Sequence, residues 1–385
     1  MNKEIYWLWY SEKESLTKKI KYDLYKEFED IEKLYNSKDY SYKYLSDKSK
    51  KELADKNTDK YEKIYDLYKK NNVKILTIDM EEYPEMLRHL SSPPVLLYCR
   101  GKFINLNERL CISVVGTRRI TDYGKNCARN ISKELAENGV IIVSGMASGV
   151  DAAAHYAALE AGMPTVAVIG TGINLVYPKT NARLMKEIIK TGMVISEYPL
   201  NTEADKFRFP ERNRIISALS IATLVIEADL RSGSLITANL SNELGRDVYA
   251  VPGSIYSVYS KGTNSLIRDG AYLTTCAEDL LSNYRLKYSD LLIKGINQKD
   301  EHNNNEENII INEEKNIDIE DLIKNTSDIE EKILTLLEND SYSIDEIHQK
   351  TDIPVSTLNQ KLLLMEISDK IVKLPGNNYR KNSDK

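Results

Sequence analysis

The apolar positions of this chain change period twice. Over residues 1–72 they recur at helical spacing, as in Ile20, Leu24, Phe28, Ile31 and Leu34, within a stretch rich in Lys, Tyr, Glu and Leu that has no glycine. This predicts a small domain of amphipathic helices. Residues 73–104 predict one short strand, Val73 to Ile78, then a Tyr83-Pro84 element and a Pro93-Pro94 connector. From Cys111 the pattern turns to short unbroken apolar runs at 111–115, 140–143, 165–169, 193–196, 222–227 and 247–251. Helical segments fall between them at 123–138, 152–161, 210–218 and 235–244, the first with Asp122 as N-cap and Gly139 as stop. Strands with continuous apolar character, alternating with helices, predict a parallel sheet covered on both faces. Residues 105–284 therefore read as an α/β, Rossmann-like doubly wound domain. An acidic linker follows at 285–327. Order resumes over 328–380, with helices at 329–337, 343–348 (Ser343 as N-cap) and 354–365, a strand at 371–374 and a Gly376-Asn377-Asn378 turn. That pattern is a winged helix.

Charge changes this picture less than the total suggests. Taken whole, the net charge of −5 over 385 residues disfavours a polyanionic partner. Yet residues 1–104 carry 21 basic and 19 acidic side chains, residues 105–284 carry 18 of each, and residues 285–385 carry 14 and 21. The acidity sits in the tail, where 299–331 alone hold 12 acidic and 3 basic groups, so a local basic groove remains open to the sheet domain. Cys99, Cys111, Cys127 and Cys276 have no metal-ligand or redox spacing, which fits free thiols in a reducing cytoplasm. No apolar run approaches the ~20 residues of a membrane span, so no membrane partner is expected.

The candidate chemistry lies at the carboxyl ends of the strands, where open parallel sheets bind ligands. Glycine-rich loops occur there at Gly116-Thr117-Arg118, at 144–149 with Gly145, Ser148 and Gly149, and at Gly170-Thr171-Gly172. A fourth loop, Arg231-Ser232-Gly233-Ser234, adds hydroxyls. Such loops offer backbone N–H groups and helix N-termini to anions. None is a Walker A loop or a Gly-x-Gly-x-x-Gly fingerprint, since position 175 is Leu. Beside them runs a basic-aromatic segment, Lys206-Phe207-Arg208-Phe209-Pro210-Glu211-Arg212-Asn213-Arg214. Guanidinium and ammonium groups suit phosphates, and aromatic rings suit unstacked bases, the pairing a single-stranded nucleic-acid site needs. Phe209 is the stacking candidate and Phe207 the core filler. One of Arg212 and Arg214 is expected to form a structural ion pair, with Glu227 or Asp151. His155, four residues after Asp151 on one helix face, reads as half of a structural pair with it rather than as a catalyst. No nucleophile with a positioned base, no metal site and no cofactor emerges.

At these residues the chain resembles the DprA/Smf (DNA-processing protein A) family. The resemblance rests on Tyr83-Pro84, Pro93-Pro94, Val115-Gly116-Thr117-Arg118, the run 144–155, Phe209-Pro210-Glu211-Arg212-Asn213-Arg214-Ile215-Ile216, the run 232–238 and the closing winged helix. Val150 stands where isoleucine is common, and Ala218 where glycine is common. The resemblance implies a cytoplasmic, non-catalytic single-stranded DNA-binding protein of natural transformation. Such proteins protect incoming strands and help load a RecA-type recombinase. It implies a homodimer formed through the Rossmann-like domain and a SAM-like N-terminal helical domain. It places DNA contacts at Arg118, Lys206 and Phe209, with phosphate-binding amides at 145–149.

Two other readings compete. A nucleotide phosphoribohydrolase-like enzyme could use the loops to cradle a monophosphate and Glu227 as catalyst, but the Pro-Gly-Gly-x-Gly-Thr-x-x-Glu signature is missing. A scaffold that only dimerises is the third. The winged helix has 6 basic and 10 acidic residues between Asp328 and Arg380, with Lys361 the sole cation of its recognition helix. Phosphate neutralisation dominates nucleic-acid affinity, so this module reads as a protein-contact domain.

Overall fold

The computed structural model describes residues 2–40, 42–292 and, further on, 332–338, 340–351, 353, 358, 361–362, 365–366, 370–374 and 378–382. Of the expected linker (285–327), residues 293–327 lie outside the described residues, as does most of the expected recognition helix (354–365). Residues 285–292 are described and belong to the sheet domain, with Leu292 buried in its core. The chain divides into two compact units, Met1–Asn308 and Ile309–Lys385.

In the first unit a nine-stranded sheet forms the centre. Its strands are β1 (Val73–Thr77), β2 (Leu96–Gly101), β3 (Cys111–Val115), β4 (Ile141–Ser144), β5 (Thr165–Ile169), β6 (Met193–Ser196), β7 (Ala222–Val225), β8 (Asp247–Ala250) and β9 (Tyr272–Leu273). Their spatial order is β1-β2-β6-β5-β4-β3-β7-β8-β9. The seven from β6 to β9 are parallel, while β1 and β2 add antiparallel to the β6 edge. Residues 73–104, read from sequence as a connector, thus supply two strands. The Val73–Thr77 run has its partner in Leu96–Gly101, a pairing between segments that no local pattern announces.

Alternation along the strands sends side chains to two cores. Ile112 and Val114 of β3 pack with α6 (Asp122–Glu137) and α7 (Val150–Glu160) on one face. Cys111 and Val115 belong to the other face, with α8 (Ala182–Thr191) and α9 (Arg208–Ala218). This period of two within one strand is what a doubly covered sheet requires. The N-cap of α6 is Thr121 rather than Asp122: its Oγ1 accepts the Gly124 N–H at 3.1 Å, and Asp122 falls in the first turn.

Five helices precede the sheet: α1 (Lys3–Ser11), α2 (Lys18–Phe28), α3 (Ile31–Asn36), α4 (Asp47–Ala54) and α5 (Thr58–Lys70). The period seen in Ile20–Leu34 is split by Glu29, which takes a left-handed conformation (φ 58°) between α2 and α3. Trp7, Trp9 and Tyr10 are buried, and Tyr68 of α5 stacks on Tyr98 of β2 with ring centroids 4.8 Å apart. The core of these helices is continuous with one face of the sheet. Lys18 of α2 reaches Glu197 (2.6 Å) beyond β6 and Glu211 (3.0 Å) of α9, tying the helices to the element that carries the basic-aromatic segment.

The second unit holds a helical stretch at 332–336, β10 (Tyr342–Ser343), α13 (Ile344–Thr351), β11 (Ile371–Leu374) and β12 (Asn378–Lys381). Its three-stranded sheet runs β10-β12-β11, antiparallel throughout. Ser343 begins α13 in a reciprocal cap: its N–H and Oγ–H both reach the Glu346 carboxylate, at 2.8 and 2.9 Å. Ile333, Leu337, Ile347, Ile371 and Tyr379 fill its core. These elements make a winged helix.

Candidate nucleic-acid interface

The chain runs β3 to β6 outward on one side of β3, then crosses to β7 on the other side. Loops after β3 and β7 therefore part, and a crevice opens between them at the carboxyl edge. A cleft of about 540 Å³ occupies this point. The loop after β3 contributes Gly116, Thr117 and Arg118. The start of α10 (Gly233–Glu243) contributes Ser232, Gly233 and Ser234; Lys206, just before α9, and Phe209, Arg212 and Asn213, within α9, contribute the rest. Ten of the fourteen residues expected from sequence thus share one lining. Gly145, Ser148, Gly149 and Arg214 do not.

Local geometry explains each placement. A Cβ on Gly116 would come within 2.5 Å of Val150 Cγ2 and 2.9 Å of the Glu227 carbonyl, so only glycine lets β3, α7 and β7 meet here. Thr117 N–H donates to the Glu227 carbonyl at 2.8 Å, which fixes the loop and leaves the Arg118 side chain in solvent. Its guanidinium lies 5.4 Å over the Phe209 ring. Phe209 also packs against Tyr177, with centroids 5.3 Å apart. Lys206 is exposed on the same lining. Ser232 caps α10, its Oγ accepting the Ser234 N–H at 3.3 Å, and Asn213 Nδ2 donates to the Gly233 carbonyl at 3.4 Å. The result is two exposed cations, Arg118 and Lys206, and an aromatic ring, Phe209, on one lining.

Four expectations need correction. Arg212 is a floor residue, 4% exposed: its Nη1 donates to the carbonyls of Gly145 (2.5 Å) and Val168. Burial lowers its pKa to about 10, and the nearby Asp151 opposes that shift. Arg214 binds Glu197 at 2.5 Å and the Ser92 carbonyl at 3.0 Å. Both arginines are structural, where one was expected, and Glu197 is a partner the sequence reading did not name.

One amide of the 144–149 loop is already engaged within the fold: Ala147 N–H donates to the buried Asp151 side chain at 3.2 Å. Gly145, Ser148 and Gly149 serve the turn; Gly149 has φ +82°, and a Cβ there would lie 2.3 Å from the Thr117 carbonyl. The third correction concerns the phenylalanines. Phe207, expected in the core, is 73% exposed, while Phe209 is half-buried. The last concerns His155, which is fully buried with Nδ1 2.8 Å from Thr165 Oγ1 rather than on Asp151; burial pushes its pKa down to about 3.

Glu227, the alternative catalyst, is also committed. It is buried, and its carboxylate accepts both the N–H (2.9 Å) and the Oγ1–H (2.5 Å) of Thr121 at the start of α6. A helix N-terminus favours a carboxylate there. Tyr177 is the aromatic residue of the lining that sequence reasoning missed. Its signal was available, an aromatic residue beside Pro178 shortly after the Gly170-Thr171-Gly172 loop. Among the described residues no group of three or more His, Cys, Asp or Glu could hold a metal ion, and no helix is long and apolar enough to cross a membrane.

Fold and cleft define a Rossmann-like α/β protein whose switch-point crevice carries two exposed cations and an aromatic ring, with a winged-helix unit further along the chain. Comparison with known proteins narrows the class. The family described as DNA recombination-mediator protein A matches residues 74–285, and the DprA winged helix domain matches residues 320–377. Protein Smf of Synechocystis is 34% identical over 328 residues, covering 82% of this chain and 81% of that protein. DNA processing protein DprA of Streptococcus pneumoniae is 44% identical over 202 residues, covering 52% and 71%. Its crystal structure superposes with a TM-score of 0.61 over 72% of this chain and 97% of its own. The Helicobacter pylori protein, whose structure is described for its single-stranded DNA binding mode, gives a TM-score of 0.51 at 32% identity over 56% of this chain and 97% of its own. The chain belongs to the DNA processing protein A (DprA/Smf) family.

Proposed function

We propose that this protein is a non-catalytic, cytoplasmic single-stranded DNA-binding protein of transformation and recombination. It shields incoming strands, helps load a RecA-type recombinase onto them, and works as a homodimer. The observation that carries the DNA-binding reading is the convergence of Arg118, Lys206 and Phe209 on the lining of one cleft. Phosphates pair with the cations and α10 N–H groups, and bases meet the aromatic wall. The recombinase and dimer parts rest on family membership alone. Engagement of Glu227 by Thr121 supports the non-catalytic reading.

The test is fluorescence anisotropy with labelled oligo-dT across a salt series. Arg118→Ala and Lys206→Ala are each expected to weaken binding by about 1.5–3 kcal/mol, the range for hydrogen bonds to charged groups. Each lost phosphate contact should flatten the log–log salt slope by about 0.7. Wild-type affinity in both variants at low salt would refute the site. Nucleotide hydrolysis that disappears in Glu227→Gln would replace the reading with the enzymatic one.

A further inference from the structure

We propose that Phe207 is a second base-stacking residue, placed just outside the cleft, and that Phe207 and Lys206 together hold one nucleotide unit of an unpaired strand. The inference rests on the reading that the cleft takes single-stranded DNA. It assigns a role to a ring that this reading leaves unused.

The argument starts from the two phenylalanines of the segment. Phe209 is hemmed in: Arg118 lies over its ring at 5.4 Å, Tyr177 packs on it at 5.3 Å, and the Gly170 backbone sits behind, where a Cβ would be 3.2 Å from Cδ1. These neighbours leave Phe209 half-buried. Phe207 is 73% exposed and, among the described residues, has no ring partner beyond the Lys206 ammonium, 5.0 Å over it. Leaving an aromatic side chain in water forgoes the free energy its burial would supply. The exposure is not slack in the chain. Phe207 N–H donates to Asp205 Oδ1 at 2.8 Å, Arg208 N–H to the Asp205 carbonyl at 3.1 Å, and Arg208 Nη1 to the Glu203 carbonyl at 2.6 Å. Arg208 is further seated over the Tyr198 ring at 5.5 Å. The Phe207 backbone and Arg208 are thus anchored, and the ring projects from a hydrogen-bonded turn at the head of α9.

Charge selects the occupant. The adjacent Lys206 lines the cleft itself, so the exposed ring continues the cleft's cationic edge. A ring carrying an ammonium beside a cationic cleft matches a base with its phosphate, the combination that sequence-tolerant single-strand sites use. A purely apolar protein partner would have to desolvate that ammonium.

The test uses the full chain. Trp7 and Trp9, its two tryptophans, are fully buried, so Phe207→Trp adds the one exposed indole. Oligo-dT should quench that indole, and an abasic phosphodiester chain of equal length should not. Phe207→Ala should lower oligo-dT affinity by about 5- to 150-fold, the range for one stacked base, while leaving affinity for the abasic chain within about twofold. Unquenched Phe207→Trp fluorescence, or equal affinity of Phe207→Ala and wild type for oligo-dT, would overturn the proposal while the cleft reading stands. So would an equal loss on both chains. A change in self-association of Phe207→Ala by sedimentation, with oligo-dT binding intact, would assign the ring to a protein contact instead. Failure of wild type to bind oligo-dT at all would remove the cleft reading first and this inference with it.

Discussion

Arg212→Met separates a structural arginine from a ligand-binding one. In the folded chain Arg212 satisfies the carbonyls of Gly145 and Val168 and lies beside the buried Asp151 carboxylate; both side chains press on Gly145. Methionine keeps an apolar stem but removes every donor. Two buried acceptors left unpaired cost about 1–3 kcal/mol each. Asp151 loses the cation that offsets its burial, and breaking a buried pair by removing one partner costs about 3–5 kcal/mol. These losses overlap, because the same guanidinium serves all three groups, so the expected total is about 3–5 kcal/mol. For a unit of this size each kcal/mol shifts Tm by about 2–4 °C, which puts the fall at about 6–20 °C by calorimetry of the full chain. Adding Asp151→Asn should recover part of it, since the uncompensated charge goes while the amide still fits the loop. The coupling between the two substitutions should be about 0.5–3 kcal/mol. An unchanged Tm together with weaker oligo-dT binding, of the size expected for Arg118→Ala, would refute the structural assignment and return Arg212 to the phosphate-binding set.

Other expectations concern backbone and protonation. Gly149→Ala places a Cβ 2.3 Å from the Thr117 carbonyl at φ +82°, so stability should fall by about 1–3 kcal/mol or more in urea denaturation. His155 has its folded pKa near 3 against an ordinary 6.5, so the unfolded chain binds more protons between those values. Stability is therefore full above about pH 6.5 and lost as pH falls toward 3, with a slope of up to about 1.4 kcal/mol per pH unit. His155→Asn should flatten that slope between about pH 6.5 and pH 4.5. Burial lowers Lys13, Lys21 and Lys56 to about 8 from 10.5. The unfolded chain again holds more protons in the window between, so the N-terminal helices should gain stability as pH rises from about 8 toward 10. The fluorescence of Trp7 and Trp9 in urea titrations at about pH 7.5 and about pH 9.5 would read this, and a loss of stability over that range would contradict it.

The parallel strands were legible because burial on both faces leaves a local trace. Thr165–Ile169 and Met193–Ser196 were bounded correctly from their apolar runs alone. So was the gathering of Arg118, Lys206 and Phe209, because strand-to-helix loops in such a sheet all open on one edge. The antiparallel addition of β1 and β2 was not legible, because its cause is pairing between segments remote in the chain. The N-cap of α6 was misplaced by one residue because Thr121 and Asp122 are both good caps, and only the position of Glu227 separates them.

What the sequence by itself determined is therefore the repeating unit and the inventory of the cleft: which loops carry glycine, which segment carries cations and rings. Tertiary structure alone decided how each group is used. Arg212, Arg214 and Arg118 are chemically identical, and Phe207 and Phe209 differ by two positions. Their roles diverge because burial and competing partners, Asp151, Glu197 and the carbonyls of Gly145 and Val168, consume some guanidinium groups and leave Arg118 to solvent. Those partners come from distant segments, and a desolvated donor binds whichever acceptor the fold brings to it.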